Sequence, residues 1–250
     1  MPSSSGWTCQ SGSWPERTSP GRDTIEPQRS QDRVFSPGSI GGLRLRNRVI
    51  RAGCFEGMCQ GGRITTNLIG HHRRVAEGGV AMTTVAYCSV SHDGRAFAHE
   101  LWIRAGIAPE LEKLAAAIHA GGAAASIQLG HSGFFTSQSV IGKRPLGASP
   151  KFCVFTMSYC AAMTEGDIEA KTRDFVDASV LAANTGFEAV GIPVIYVGGV
   201  ESLQHMNEAM GAGFDFVQVG RATIQNPDFV RQLESGEISR SACDHCNRCV

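Results

Sequence analysis

Pro193-Val194-Ile195-Tyr196-Val197-Gly198-Gly199 and Phe214-Asp215-Phe216-Val217-Gln218-Val219-Gly220-Arg221 are two short apolar runs, each stopping at glycine where the next segment begins. Runs of this length, bounded by turn residues, read as buried strands. Glycine lets backbone N–H groups approach an anion closely, and a helix N-terminus behind it adds a favourable dipole. Two such ends side by side, with an arginine on one, make a phosphate cradle of Gly198, Gly199, Gly220 and Arg221. The alternative is that these are ordinary strand–helix turn glycines. The cradle matches the phosphate site after the last two strands of a (β/α)8 barrel.

Outward from these ends, strands and helices alternate, which argues for an α/β fold with a parallel sheet. Arg48-Val49-Ile50-Arg51-Ala52 reads as a short strand ending at Gly53. A helix is predicted over 66–77, with Leu68, Ile69, Val75 and Ala76 apolar and Gly78-Gly79 as its stop. Residues 80–87 read as a second strand. A helix over 109–120 starts at proline, ends at Gly121-Gly122 and carries the stripe Leu111, Leu114, Ala115 and Ile118. Residues 123–129 read as a third strand. Residues 130–163, with Pro145 and Pro150, are expected to be a long irregular stretch, functional or disordered. Thr164-x-x-Asp167 is a capping-box signature, opening a helix that carries Ile168, Phe175, Val176, Val180 and Leu181. Phe187 to Val190 begins a fourth strand. Ser202 is placed to cap a helix with Leu203, Met206, Ala209 and Met210 on its buried face, and Asn226 before Pro227 marks another helix start. The strand-plus-helix period of about 30 residues is that of a (β/α)8 barrel.

The chain's 250 residues suffice for one large domain or two small ones, and 42% hydrophobic against 18% charged residues allows a sizeable core. A formal net charge of +0 gives no electrostatic case for nucleic acid or a membrane surface. No apolar run approaches the roughly 18–20 residues of a membrane span. Residues 1–33 are rich in Ser, Pro, Gly, Arg and Gln and read as a disordered leader. They lack the apolar core of a secretory signal. Arg17, Arg22, Arg29 and Arg33 would suit a mitochondrial presequence, whereas Glu16, Asp23 and Glu26 count against one. The nine cysteines are odd in number and mostly scattered, so a reducing compartment, the cytoplasm, is expected rather than a disulfide framework. His71 and His72 read as surface or packing residues of a helix, and His131 as a structural loop histidine.

Several motifs now combine. They are Phe35-Ser36-Pro37-Gly38-x-Ile40-x-x-Leu43-x-Leu45-x-Asn47-Arg48, Ser91-x-Asp93-Gly94-Arg95, Gln128-Leu129-Gly130-His131-x-Gly133 and the two glycine-ended strands. Together, over roughly residues 34–249, they resemble the old yellow enzyme, or NADH:flavin oxidoreductase, family. The resemblance implies an FMN-binding TIM-type (β/α)8 barrel domain over residues 34–250, NAD(P)H as reductant and a small-molecule, enone-type substrate. It implies that Ala52, Gly53 and Cys54 meet the flavin ring through backbone groups and that Tyr87 makes a further backbone contact. Gln128 would offer its amide to the pyrimidine edge, because an amide can accept from N3–H and donate to O2. Gly198, Gly199, Gly220 and Arg221 would hold the FMN phosphate through N–H groups and a guanidinium fork.

The sequence also departs from the family. A Thr or Cys that often tunes the flavin corresponds here to Phe55, with Cys54 one place earlier. At Val190-Gly191-Ile192-Pro193 the start of strand four runs directly into what resembles strand seven. The family's His-x-x-Asn or His-x-x-His pair, which holds the substrate carbonyl, has no counterpart here, nor do the Tyr that often follows and strands five and six. At about 30 residues per unit, the missing piece is on the order of 100 residues. Parallel neighbours need a crossover of about 10–12 residues. The expectation is therefore that residues 187–197 form one continuous strand containing Pro193, or that one piece leaves the sheet. About five strands would remain where closure needs eight, giving an incomplete barrel whose open edges and apolar face favour association.

Cys243-x-x-Cys246-x-x-Cys249 has the spacing of iron–sulfur ligands, and some larger family members carry a cluster near this point. A fourth cysteine would normally follow, so a remnant or adventitious metal site is expected rather than an assembled cluster. The leading expectation is an FMN-dependent NAD(P)H oxidoreductase acting on an activated C=C bond, with this chain weak or inactive and its catalytic residues unassigned. The alternative is a non-catalytic FMN- or phosphate-binding remnant that associates with a partner. An isomerase or aldolase barrel sharing the cradle is disfavoured by Gln128, by the Ser36-Pro37 opening and by the lack of a strand-end lysine.

Overall fold

The computed structural model describes residues 33–190, 196–197, 200–211 and 214–243. A 3-10 turn at Arg33–Phe35 leads into an antiparallel hairpin of β1 (Gly38–Ile40) and β2 (Leu43–Leu45). The chain continues through β3 (Val49–Arg51), α1 (Thr66–Glu77), β4 (Met82–Ser89), β5 (Leu101–Trp102), α2 (Ala108–Ala120) and β6 (Ala124–Gly130). Next come α3 (Gln138–Ile141), β7 (Leu146–Gly147), β8 (Lys151–Cys153), β9 (Ser158–Ala162) and α4 (Glu165–Asn184). The described part ends with β10 (Ala189–Val190), β11 (Tyr196–Val197), α5 (Leu203–Gly211), β12 (Val217–Val219), α6 (Arg221–Gln225) and α7 (Phe229–Ser235).

The main sheet runs β10-β6-β4-β3-β12-β11, with β5 pairing β4, and every pairing in it is parallel. β3, β4, β6 and β10 are successive neighbours, as are β11 and β12, which is what strand–helix–strand units give. Alternation along β3 shows the two faces. Val49 packs into the cluster shared with α1 and α2, while Ile50 packs with Leu45, Ala81, Met82 and Phe216. The β1–β2 hairpin thus covers the inner face at the N-terminal end of the strands, leaving their C-terminal ends for a site.

Local signals explain the helices. Thr65 Oγ1 accepts from Leu68 N at 3.3 Å to open α1, which buries Leu68, His71, His72, Val75 and Ala76 on one side. The helix stops at Gly78; Gly79, at φ +103, turns the chain into β4. Thr164 and Asp167 form a reciprocal capping box at the start of α4. Ser202 Oγ accepts from His205 N at 3.2 Å to open α5, whose Met206, Ala209 and Met210 are buried.

Three expectations need correction. The stretch 130–163 is not irregular: it holds α3 and a three-stranded sheet ordered β7-β9-β8. Its strands are too short for a period to show, and cross-strand pairs such as Phe152 against Tyr159, with ring centroids 4.8 Å apart, hold them instead. Neither piece of the 187–197 region leaves the sheet. β10 pairs β6 and β11 pairs β12, at opposite ends of the strand order, and residues 191–195 between them lie outside the described residues. Among the described residues the main sheet has six strands besides β5, counting β10 and β11 separately, in keeping with the incomplete barrel expected. Finally, α7 starts at Phe229, because Asn226 Oδ1 accepts from Asp228 N at 3.1 Å and makes Pro227 part of a turn.

Candidate functional site

Four strand ends converge at the C-terminal side of the sheet. Ala52 N donates to Val219 O at 2.8 Å, tying the exit of β3 to β12. A Cβ on Gly53 would stand 2.3 Å from Gln128 Oε1 and 3.1 Å from Ala86 Cβ, so β3, β4 and β6 meet there with no room for a side chain. A Cβ on Gly220 would lie 3.3 Å from Cys54 Sγ and 3.7 Å from Ala52 Cβ, which brings the exit of β12 against the same stretch. Tyr87 follows Ala86 on β4, and its ring stacks on Phe55 at 5.9 Å. The structure therefore gathers Ala52, Gly53, Cys54, Tyr87, Gln128 and Gly220, and Arg221 follows directly as the first residue of α6. Gly198 and Gly199 lie outside the described residues.

Gln128 is exposed at the end of β6, and its amide makes no hydrogen bond to another described residue. An amide with both its donor and its acceptor free, in a cleft formed by a glycine, fits the edge of a planar ring that carries an N–H beside a carbonyl. These residues fit a flavin. Phe55 packs against Phe97 at 4.5 Å as well as Tyr87, so its surroundings are aromatic.

Beneath this floor lies a charged network that the sequence reading missed. Arg51, the last residue of β3, is fully buried; its Nη1 donates to Glu56 Oε1 and to Thr84 O, both at 2.7 Å. Glu56 Oε2 accepts from Ala86 N at 3.3 Å. His72 of α1 places Nε2 3.4 Å from Glu56 Oε1, and its Nδ1 bonds Thr83 Oγ1 at 2.9 Å. Burial would raise the Glu56 carboxyl, but contact with His72 and the Arg51 charge outweigh it and hold it below the usual range. Burial lowers His72, and lowers His71 to about 4, so both are neutral packing histidines. The one signal in the sequence was a charged residue ending an apolar strand.

A second network fixes the segment after β4. Asp93 accepts from Ser91 Oγ at 2.6 Å and Lys171 Nζ at 2.7 Å, and pairs with Lys143 Nζ at 2.9 Å. Burial opposes its ionisation, but the two lysines and the Ser91 hydroxyl hold its carboxyl well below the usual range. His131 packs on Gly94, where a Cβ would lie 2.7 Å from the ring, and its Nδ1 accepts from Gly133 N at 3.1 Å.

Cys243 N donates to Ser241 Oγ at 3.1 Å; Cys246 and Cys249 lie outside the described residues. Among the described residues, no group of three or more His, Cys, Asp or Glu could hold a metal ion.

The sequence is 35% identical over 159 residues to 4,4'-dithiodibutanoate disulfide reductase of Rhodococcus erythropolis, covering 64% of this chain and 40% of that protein. The chain thus spans less than half the length of that curated relative. Its structure is similar to histamine dehydrogenase from Rhizobium sp. 4-9, with a TM-score of 0.77 and 20% identity over 90% of this chain and 48% of that one. It is also similar to an old yellow enzyme homologue from Zymomonas mobilis, with a TM-score of 0.73 and 13% identity over 85% and 95% of the two chains. At those identities the likeness speaks for the barrel fold alone. The sequence model of the NADH:flavin oxidoreductase / NADH oxidase family matches residues 33–192, and the chain belongs to that family.

Proposed function

We propose that this chain is an FMN-binding oxidoreductase, with NAD(P)H as electron donor and an activated C=C bond as the acceptor class. When bound, FMN supplies hydride chemistry between the two. The observation that carries the reading is the free Gln128 amide beside Gly53, at the meeting point of four strand ends. In this reading Ala52, Gly53, Cys54, Tyr87 and Gln128 hold the ring, and Gly198, Gly199, Gly220 and Arg221 hold the phosphate. We further propose an internal deletion after Val190. Its support is that the family match ends at residue 192, and that β10 and β11, separated by residues 191–195, pair at opposite ends of the strand order. The lost portion would carry the carbonyl-holding pair, so the chain binds and reduces FMN but turns over enones weakly or not at all. Anaerobic titration of the FMN-loaded chain with NADH and NADPH tests this, with bleaching of the flavin expected and steady turnover of a cyclic enone not expected. Enone turnover at an ordinary enzymatic rate, lost on Gln128→Ala, would refute the inactivity.

A second reading, a binding remnant that self-associates, is favoured by α4. Ile168, Val176 and Val180, on one side of this helix, are 54%, 56% and 53% exposed, while Ala178 and Ala182 are buried. Light scattering that shows a monomer at all concentrations would contradict it.

A further inference from the structure

The Arg51–Glu56 pair lies under the two backbone stretches that form the ring site. Glu56 is three residues beyond Gly53, and its carboxylate reaches the amide of Ala86, the residue before Tyr87. The tie is double, because Glu56 N donates back to Ala86 O at 3.4 Å. Arg51 fixes the carboxylate from the end of β3 and also grips Thr84 O on β4, and His72 closes the third side from α1. The side chains of Arg51, Glu56 and His72 are 1%, 5% and 0% exposed, so the arrangement is shielded from solvent screening. Two further nitrogens of Arg51, Nε and Nη2, have no hydrogen-bond partner, which makes Glu56 its one counter-charge at contact distance among the described residues.

We propose that Glu56 is a positioning residue for the flavin: it locks the exits of β3 and β4 in the spacing that the ring requires and neutralises a guanidinium buried beneath it. This inference rests on the flavin reading above. Two consequences can be separated experimentally. Glu56→Gln keeps an acceptor for Ala86 N–H but uncovers the Arg51 charge, which favours the more negative, reduced flavin. Replacing the pair together, Arg51→Met with Glu56→Leu, removes both charges and with them the side-chain half of the tie to Ala86. A buried ion pair replaced by apolar residues of similar volume is often tolerated, whereas removing one partner is strongly destabilising, so the double variant serves if the single one fails to fold.

The experiment measures the FMN dissociation constant of the apoprotein, and the two-electron midpoint potential of the loaded protein, for wild type and both variants. Glu56→Gln should bind reduced FMN about tenfold better relative to oxidised FMN, a positive shift of about 30 mV for a two-electron couple. The double variant should bind FMN at least about tenfold more weakly with the potential unmoved, an outcome that a purely electrostatic role would not give. A folded Glu56→Gln with wild-type affinity and potential overturns the inference, as does a double variant of wild-type affinity where the single variant cannot be folded. Wild-type protein that takes up no FMN overturns the flavin reading itself, and this inference with it.

Discussion

Gly53→Ala is the sharpest perturbation the site offers. Gly53 does not occupy the left-handed region, so alanine costs the backbone little there. Its Cβ would, however, stand 2.3 Å from Gln128 Oε1, where ordinary contact begins near 3.4 Å. The Gln128 amide must therefore retreat by about 1 Å, which takes a hydrogen bond of about 2.9 Å beyond its useful range. Losing one or two such bonds costs about 1–3 kcal/mol, or roughly 5- to 150-fold in FMN affinity. Gln128 is exposed and has no hydrogen-bond partner to lose among the described residues, and the contact with Ala86 Cβ at 3.1 Å asks only for a small adjustment. The apoprotein's melting temperature should thus move by no more than a few degrees. The assay is FMN titration by flavin fluorescence, run on Gly53→Ala, Gln128→Ala and the double variant. If Gly53→Ala acts through Gln128, the double variant should bind no worse than Gln128→Ala, a strong departure from additivity. Wild-type affinity in Gly53→Ala, or full additivity of the two changes, would refute the placement of the ring edge at Gln128.

Three further outcomes follow from the structure. A Cβ on Gly78 would lie 1.7 Å from the carbonyl oxygen of Pro227, a backbone atom that cannot rotate away, so Gly78→Ala should destabilise the protein by about 1–3 kcal/mol or more in urea denaturation; an unchanged midpoint would contradict the packing of α1 on the approach to α7. Thr164→Ala removes a capping box at the exposed start of α4 and should cost about 1 kcal/mol, read as a lower thermal midpoint with flavin binding unaltered. Glu100 is buried and accepts from Phe97 N at 3.3 Å and from Ala96 N at 2.6 Å; burial pushes its carboxyl up to about 7 against these bonds. The folded state then holds a proton that the unfolded state has released, so Glu100 favours folding at acid pH and this contribution is lost as pH rises from about 4.5 to about 7. Relative to Glu100→Gln, wild type should be more stable at pH 5 than at pH 8 by on the order of 3 kcal/mol, and parallel pH profiles would sink the assignment.

The parts of this fold that were legible in the sequence are those set by neighbours in the chain. The helix predicted over 66–77 is observed with the same bounds, because Thr65 opens it and Gly78-Gly79 closes it within the local sequence. The capping box at Thr164 was equally plain. The glycine ends of the strands identified the side of the sheet on which Gly53 and Gly220 meet. What was not legible depends on distant partners. The strands of 130–163 exist through pairing rather than period. The tie between Glu56 and Ala86 spans 30 residues, and nothing in either local sequence announces it. Helical periodicity marked Ile168, Val176 and Val180 as apolar, but could not say that no described element packs over them, and each is more than half exposed.

The most direct test of the central claim is the visible absorption spectrum of the purified chain after incubation with FMN and removal of excess, with the released cofactor identified on denaturation. The account predicts equimolar FMN, with flavin bands shifted from those of the free cofactor by the ring's contacts at Gly53 and Gln128. A folded protein that retains no FMN at any loading concentration would contradict it.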